Sequence, residues 1–133
     1  MSKNRAFITA PWNPASGRVR EIIAGVLREF DIEVVPDWDV PGSFDFFSAI
    51  QSSDLVVADI SGQKPNPNVM YELGFAHGLR KPTLLLVSQE SGRAPSDLAG
   101  ILYLVYDPTN LSALRSSLRN EVKHIVEDRL VVR

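Results

Sequence analysis

Short apolar runs alternate along this chain with longer stripes of helical period. The runs Arg5 to Ala10, Ile32 to Val35, Asp54 to Ile60, Thr83 to Ser88 and Leu102 to Tyr106 have the length and apolar content of strands. Between the first two, Val19, Ile22, Ile23, Val26, Leu27 and Phe30 recur at helical spacing and form one apolar face, with Ser16 as the expected N-cap. A second helix is expected after a Ser43 cap, turning Phe44, Phe47 and Ile50 inward. A third begins at Asn66-Pro67, because asparagine caps well and proline lacks an N–H that the first turn leaves unused anyway. Its stripe is Val69, Met70, Leu73, Ala76 and Leu79, and Arg80, Lys81 and Pro82 end it. Leu111, Leu114, Leu118, Val122 and Ile125 mark a last helix.

The order of these elements is strand, helix, strand, repeated. Leu55-Val56-Val57-Ala58 and Leu84-Leu85-Leu86-Val87 are apolar at consecutive positions, so both faces of those strands need cover, as in a parallel sheet between two helix layers. The expectation is one α/β domain over residues 1–133: a three-layer, flavodoxin-like or Rossmann-like fold with a five-stranded parallel sheet in the order 2-1-3-4-5. In such a sheet a ligand lies outside the carboxyl ends of the strands where the order reverses, here between the first and third. The loops Thr9 to Pro14 and Asp59 to Asn68 border that crevice.

Composition removes several function classes. There is no cysteine, which excludes disulfides, thiolate metal sites and a cysteine nucleophile, and only His77 and His124 supply imidazole. No metal and no cofactor are expected. The 14 basic residues are scattered and the net charge is −2, so polymeric nucleic acid is not an expected partner. The chain has no apolar run of about 18 residues, and no membrane contact is expected. The apolar stretch Ala6 to Ala10 is too short for a signal segment, so the expected location is cytoplasmic.

Several residues near the crevice carry candidate chemistry. Thr9 and Pro11 follow the first strand, and Trp12 beside them either stacks a base or covers the sheet edge. Asp59 ends a strand; its carboxylate either emerges at the crevice or caps the turn over Ser61-Gly62. Glu72 shares a helix face with Asn68 and Ala76, from which it can point back over the sheet, the plainer alternative being a solvated helix glutamate. Gly74 and Gly78 cost helix stability, so a close backbone approach, within the chain or to a neighbouring subunit, is expected there.

The segments Ser53 to Ile60, Asn66-Pro67-Asn68-Val69-Met70-Tyr71-Glu72-Leu73-Gly74-Phe75-Ala76-His77-Gly78 and Lys81-Pro82 resemble the central motif of the nucleoside 2-deoxyribosyltransferase-like superfamily, which is related to TIR-like domains. The resemblance implies N-glycosidic bond cleavage or transfer on a nucleoside, a nucleotide or NAD. By motif position it implies Glu72 as nucleophile and Asp59 as its partner. With the loops that border the crevice, Thr9, Pro11, Trp12, Asn68 and Ser88 are expected to bind substrate. An oxocarbenium-like transition state suits a carboxylate, and retaining chemistry sets its two carboxyl groups roughly 5 to 5.5 Å apart. On that basis Asp59 and Glu72 are expected to act as a coupled pair. The loop Ser88 to Gly92, with Arg93, resembles the place where nucleotide-cleaving relatives hold a 5′-phosphate. Asn66-Pro67-Asn68 replaces the Asp-Gly loop usual in the transferases. The family's habit also implies a homo-oligomer, with Trp38 or Phe46 of a neighbour near the pocket.

Other functions use the same fold. A phosphoacceptor receiver domain would match Asp59 and Ser88 but needs acidic residues after the first strand and a lysine after the fifth, where this chain has Thr9-Ala10-Pro11 and Tyr106-Asp107-Pro108. A TIR-like NAD-cleaving domain and a non-catalytic nucleotide-binding or self-assembling signalling module remain as alternatives.

Overall fold

The computed structural model describes residues 3–11, 13–35, 45–62, 64, 66–91 and 103–130. Its sheet is parallel throughout and contains β1 (Arg5–Thr9), β2 (Glu33–Val35), β3 (Leu55–Asp59), β4 (Thr83–Ser88) and β5 (Tyr103–Tyr106) in the order β2-β1-β3-β4-β5. The helices are α1 (Pro14–Glu29), α2 (Phe46–Gln51), α3 (Pro67–Gly78) and α4 (Leu111–Asp128). This is the architecture and strand order expected from the chain's alternation of runs and stripes.

Pleating divides the strand residues between the two helix layers, since successive side chains point to opposite faces. Ala6, Ile8, Leu55, Val57, Leu84 and Leu86 pack with the apolar stripes of α1 and α4. Their immediate neighbours Phe7, Val56, Ala58, Leu85 and Val87 pack against α2 and α3 on the other side. Leu55 through Ala58 are all 0% exposed, which explains why that run has no polar alternation. Burying a Leu or Val side chain of this kind contributes about 1.5–3 kcal/mol.

Helix starts follow their capping chemistry. Asn66 accepts from the N–H groups of Asn68 and Val69 at 2.9 and 3.2 Å, with Pro67 at the first position, as the sequence predicts. Helix α1 starts earlier than the Ser16 cap would place it. The same pair, Asn13-Pro14, begins it, Asn13 accepts from Ser16 N–H at 2.9 Å, and Ser16 falls inside the first turn, where it is buried. Helix α2 is capped by Asp45, whose Oδ1 accepts from Phe47 and Ser48 N–H at 3.1 and 3.3 Å. Ser43 and Phe44, expected at that start, lie outside the described residues, as do Trp12, Trp38, Gly92, Arg93 and Leu102.

Among the described residues, the expected close approach at the α3 glycines is absent. A Cβ built at Gly74 or Gly78 meets nothing within 4 Å, and the same holds for Gly25 in α1. Glycine at such exposed helical positions contributes only backbone entropy to the unfolded state. Gly25→Ala and Gly74→Ala are therefore expected to stabilise the fold by roughly 0.5–1 kcal/mol each, read from the urea midpoint at unchanged slope. A loss of stability at Gly74 would place a neighbour against it.

His77, near the end of α3, lies 3.1 Å from Thr83 Oγ1 through Nε2, and burial lowers its pKa from the ordinary 6.5. The unfolded chain then binds the proton more readily, so the stability that His77 contributes is complete above pH 6.5 and declines as the pH falls through that value towards the lower folded one. His77→Gln keeps a polar contact without titrating. The drop in urea midpoint between pH 7.5 and 5.5 should be smaller in this variant than in the parent.

Candidate functional site

The site residues stand on four adjoining strand ends and two helix starts at the carboxyl edge of the sheet. Thr9 is the last residue of β1 and pairs in register with Ala58, so its side chain falls on the α2/α3 side. There its hydroxyl donates to Glu72 Oε1 at 3.3 Å. Glu72 sits in the second turn of α3, half-buried, held above β1 by a threonine that is itself 2% exposed. Sequence reasoning placed Thr9 and Glu72 at one crevice, and the fold brings them together. Pro11 is half-buried at the start of the β1–α1 loop, while Asn68 is exposed and donates its backbone N–H to the Asn66 cap.

Asp59 is positioned differently from its expectation. It pairs with Leu86, a residue of the α1/α4 core, so the pleat sends its side chain to the face opposite Thr9. The carboxylate does not emerge at the crevice: Asp59 is 0% exposed. Oδ1 accepts from the Ser61 backbone N–H at 3.0 Å and from the Ser61 hydroxyl at 2.5 Å, and Oδ2 accepts from the Tyr106 hydroxyl at 2.9 Å. The turn cap over Ser61 is present, and Tyr106 adds a partner from β5 that the sequence did not reveal. Burial and the negative charge of Asp59 together hold the Tyr106 phenol well above its ordinary pKa.

Above this cluster lies a cleft of about 380 Å³. Asn13, Ser16, Arg18, Ser61, Ser88 and Tyr106 are among its lining residues. Ser88, the last residue of β4, pairs with Tyr106 and donates its N–H to Ser61 Oγ at 2.7 Å. Its own hydroxyl accepts from Glu90 N–H at 3.2 Å. Gly62, at φ 130°, donates to Ser91 Oγ at 2.8 Å and ties the loop after β3 to the loop after β4. Arg18 lines the cleft in the first turns of α1, where the helix end already favours an anion. Arg20 is 7% exposed and donates to Ala10 O at 3.1 Å, bracing the loop after β1. Its sequence signal is a charged residue on the buried stripe Ser16, Arg20, Ile23, Leu27.

Among the described residues no cluster of His, Asp and Glu could hold a metal ion, and no helix is long and apolar enough to cross a membrane.

The chain is similar to several known proteins. The chain is 35% identical over 85 residues to CD-NTase-associated protein 12 from Flavobacterium daejeonense, a match that takes in 62% of this chain but only 27% of that protein. Among solved structures it superposes on a CMP N-glycosidase from Clostridium botulinum with a TM-score of 0.57 and 21% identity, covering 82% of this chain and 99% of the other. A 2-deoxyribosyltransferase from Leishmania mexicana gives a TM-score of 0.53 at 20% identity over 63% of this chain and 64% of the other. Those two likenesses are of fold. A family profile described as nucleoside 2-deoxyribosyltransferase matches residues 46–128, a stretch that holds Asp59, Glu72, Ser88 and Tyr106. With well over half of its length inside that match, the chain belongs to the nucleoside 2-deoxyribosyltransferase family.

Proposed function

We propose that this protein breaks or transfers the N-glycosidic bond of a nucleoside or nucleotide, with Glu72 as the nucleophile. The observation that carries the proposal is the hydrogen bond from Thr9 to Glu72 Oε1, which aims a carboxylate over the sheet edge where the strand order reverses. In this reaction a Glu72 oxygen bonds the anomeric carbon as the bond from that carbon to the base nitrogen breaks. The departing base takes a proton from solvent, and water or a second base then displaces Glu72 from the anomeric carbon and returns a proton to solvent, so that Glu72 leaves as a carboxylate. Thr9 donates to one oxygen and so orients the carboxylate while leaving it anionic. Asp59 serves as a positioning residue on the other face. It fixes Ser61 and Tyr106 at the floor of the cleft, where Ser88 and the start of α1 with Arg18 suit the 5′-phosphate of a nucleotide.

The relatives support the bond type. One similar fold is that of a CMP N-glycosidase and another that of a 2-deoxyribosyltransferase. NAD carries its nicotinamide on ribose through the same kind of bond, and it belongs in the same test.

That test is incubation of purified protein with nucleosides, nucleoside 5′-monophosphates and NAD, with and without an acceptor base, followed by chromatography for free base, exchanged base or nicotinamide. Release or exchange by the parent, lost at least about a hundredfold in Glu72→Gln with an unchanged melting temperature, is the expected result. A Glu72→Gln protein that keeps most of its activity would remove Glu72 from the chemistry.

For Asp59 the expected outcome is structural first. Asp59→Ala takes the acceptor from the Ser61 N–H and from the Ser61 and Tyr106 hydroxyls, and the hydroxyls can turn to each other while the N–H cannot. An unsatisfied group of this kind costs about 1–3 kcal/mol, so the urea midpoint should fall clearly. Asp59→Asn keeps two polar atoms but puts a donor against a donor on one side, and should fall between the two.

A further inference from the structure

The floor of the cleft is one proton short. Three oxygen contacts link Asp59, Ser61 and Tyr106: Ser61 Oγ to Asp59 Oδ1 at 2.5 Å, Tyr106 Oη to Asp59 Oδ2 at 2.9 Å, and Ser61 Oγ to Tyr106 Oη at 3.1 Å. The two hydroxyls own one proton each. Asp59 is 0% exposed, and among the described residues Tyr106 is the donor that reaches Oδ2, so its proton is committed there. The Ser61 proton is committed to Oδ1. Either oxygen could donate across the 3.1 Å contact between the two hydroxyls, but with both protons on Asp59 that contact has none of its own.

The remaining lone pairs can be counted in the same way. A hydroxyl oxygen accepts twice. Ser61 Oγ takes the Ser88 N–H at 2.7 Å, which leaves its second lone pair on the side of Tyr106 Oη, and among the described residues no other donor is committed to either oxygen, so one donor of a ligand can bridge the two. Both residues line the cleft. The Tyr106 phenol is held well above its ordinary pKa by burial and by the Asp59 charge, so it stays a phenol, and the hydrogen bond it donates goes to Asp59 Oδ2.

We propose that Ser61 and Tyr106, their protons held by Asp59, form an acceptor pair that recognises a neutral hydrogen-bond donor of the ligand. Two such donors occur on a nucleotide: a pentose hydroxyl and the exocyclic amine of the base. Glu90 and Arg18 both line the cleft, beside the positive end of α1, so its charges offset one another and a neutral donor is the fit. Phosphate oxygens have no proton to offer the pair and belong nearer Arg18. The inference rests on reading the cleft as a nucleotide site. It adds that the Asp59 cluster discriminates among nucleotides.

Binding, measured by calorimetry apart from any turnover, tests this. The probes are cytidine 5′-monophosphate, its 2′-deoxy and 3′-deoxy forms, and uridine 5′-monophosphate, in which a carbonyl replaces the amine. On the parent, one of the three altered ligands should bind about tenfold more weakly than cytidine monophosphate, the size of one lost neutral hydrogen bond, and its identity names the donor. Tyr106→Phe should weaken cytidine monophosphate by a similar factor and leave that one analogue unchanged. Ser61→Ala, which keeps the backbone N–H on Asp59, should do the same and serves if Tyr106→Phe fails to fold.

Equal weakening of all four ligands, full retention of cytidine monophosphate affinity in both variants, or no binding of any probe by the parent would each overturn the acceptor pair. Failure of the glycosidic reading looks different. A parent that binds and discriminates the probes but releases no base keeps the acceptor pair and loses the reaction, whereas base release with uniformly weakened variants does the reverse.

Discussion

A residue at the end of a β-strand serves one face of the sheet or the other, and in this protein that choice arranges the site. Position 9 on β1 falls on the α3 side, and position 59 on β3 falls on the α1/α4 side. Both belong to the same carboxyl edge, yet the sheet lies between their side chains. Thr9 meets Glu72, and Asp59 meets Ser61 and Tyr106. The two carboxylates therefore have different surroundings: one is half-buried at the crevice with a threonine donor, and the other is sealed beneath two hydroxyls.

This parity was available in the amino-acid sequence. Within Leu55 to Asp59 every second residue shares a face, so Asp59 must side with Leu55 and Val57, and Thr9 cannot side with Ile8. What hides it is that the whole run is apolar before Asp59, so no polar alternation marks which face is which. The strands and their order, the Asn66-Pro67 start and the Leu114, Leu118, Val122, Ile125 stripe were all legible, because each follows from local spacing or capping. The α1 start was misplaced for a reason of the same local kind. Serine and asparagine both cap, and the proline after Asn13 decides between them. Tyr106 was beyond reach. Its partner is 47 residues away, and only the register of β5 against β4, then β3, brings the hydroxyl to Asp59.

The Asp59 cluster also fastens strand ends that would otherwise separate into loops. Asp59 and Ser61 follow β3, Ser88 closes β4 and Tyr106 closes β5, and the hydrogen bonds among them cross all three. Charge-assisted bonds to a buried carboxylate are stronger than neutral ones, and they are costly to break one at a time. Serines and a tyrosine on such an anchor form a floor of fixed geometry beneath the cleft.

Helix α2 has six residues, far fewer than a helix needs to persist by itself in water. It is held by rings instead. Phe47 lies 4.8 Å from Phe75 and 6.2 Å from Tyr71 between centroids, and Phe46 lies 5.9 Å from Tyr71. Tyr71 and Phe75 belong to α3, and Tyr71 precedes Glu72 directly. Local opening of α2 thus releases the outer cover of the helix that carries the carboxylate, so the amide protons of the two helices should exchange with solvent as one cooperative unit, separately from those of β3 and β4.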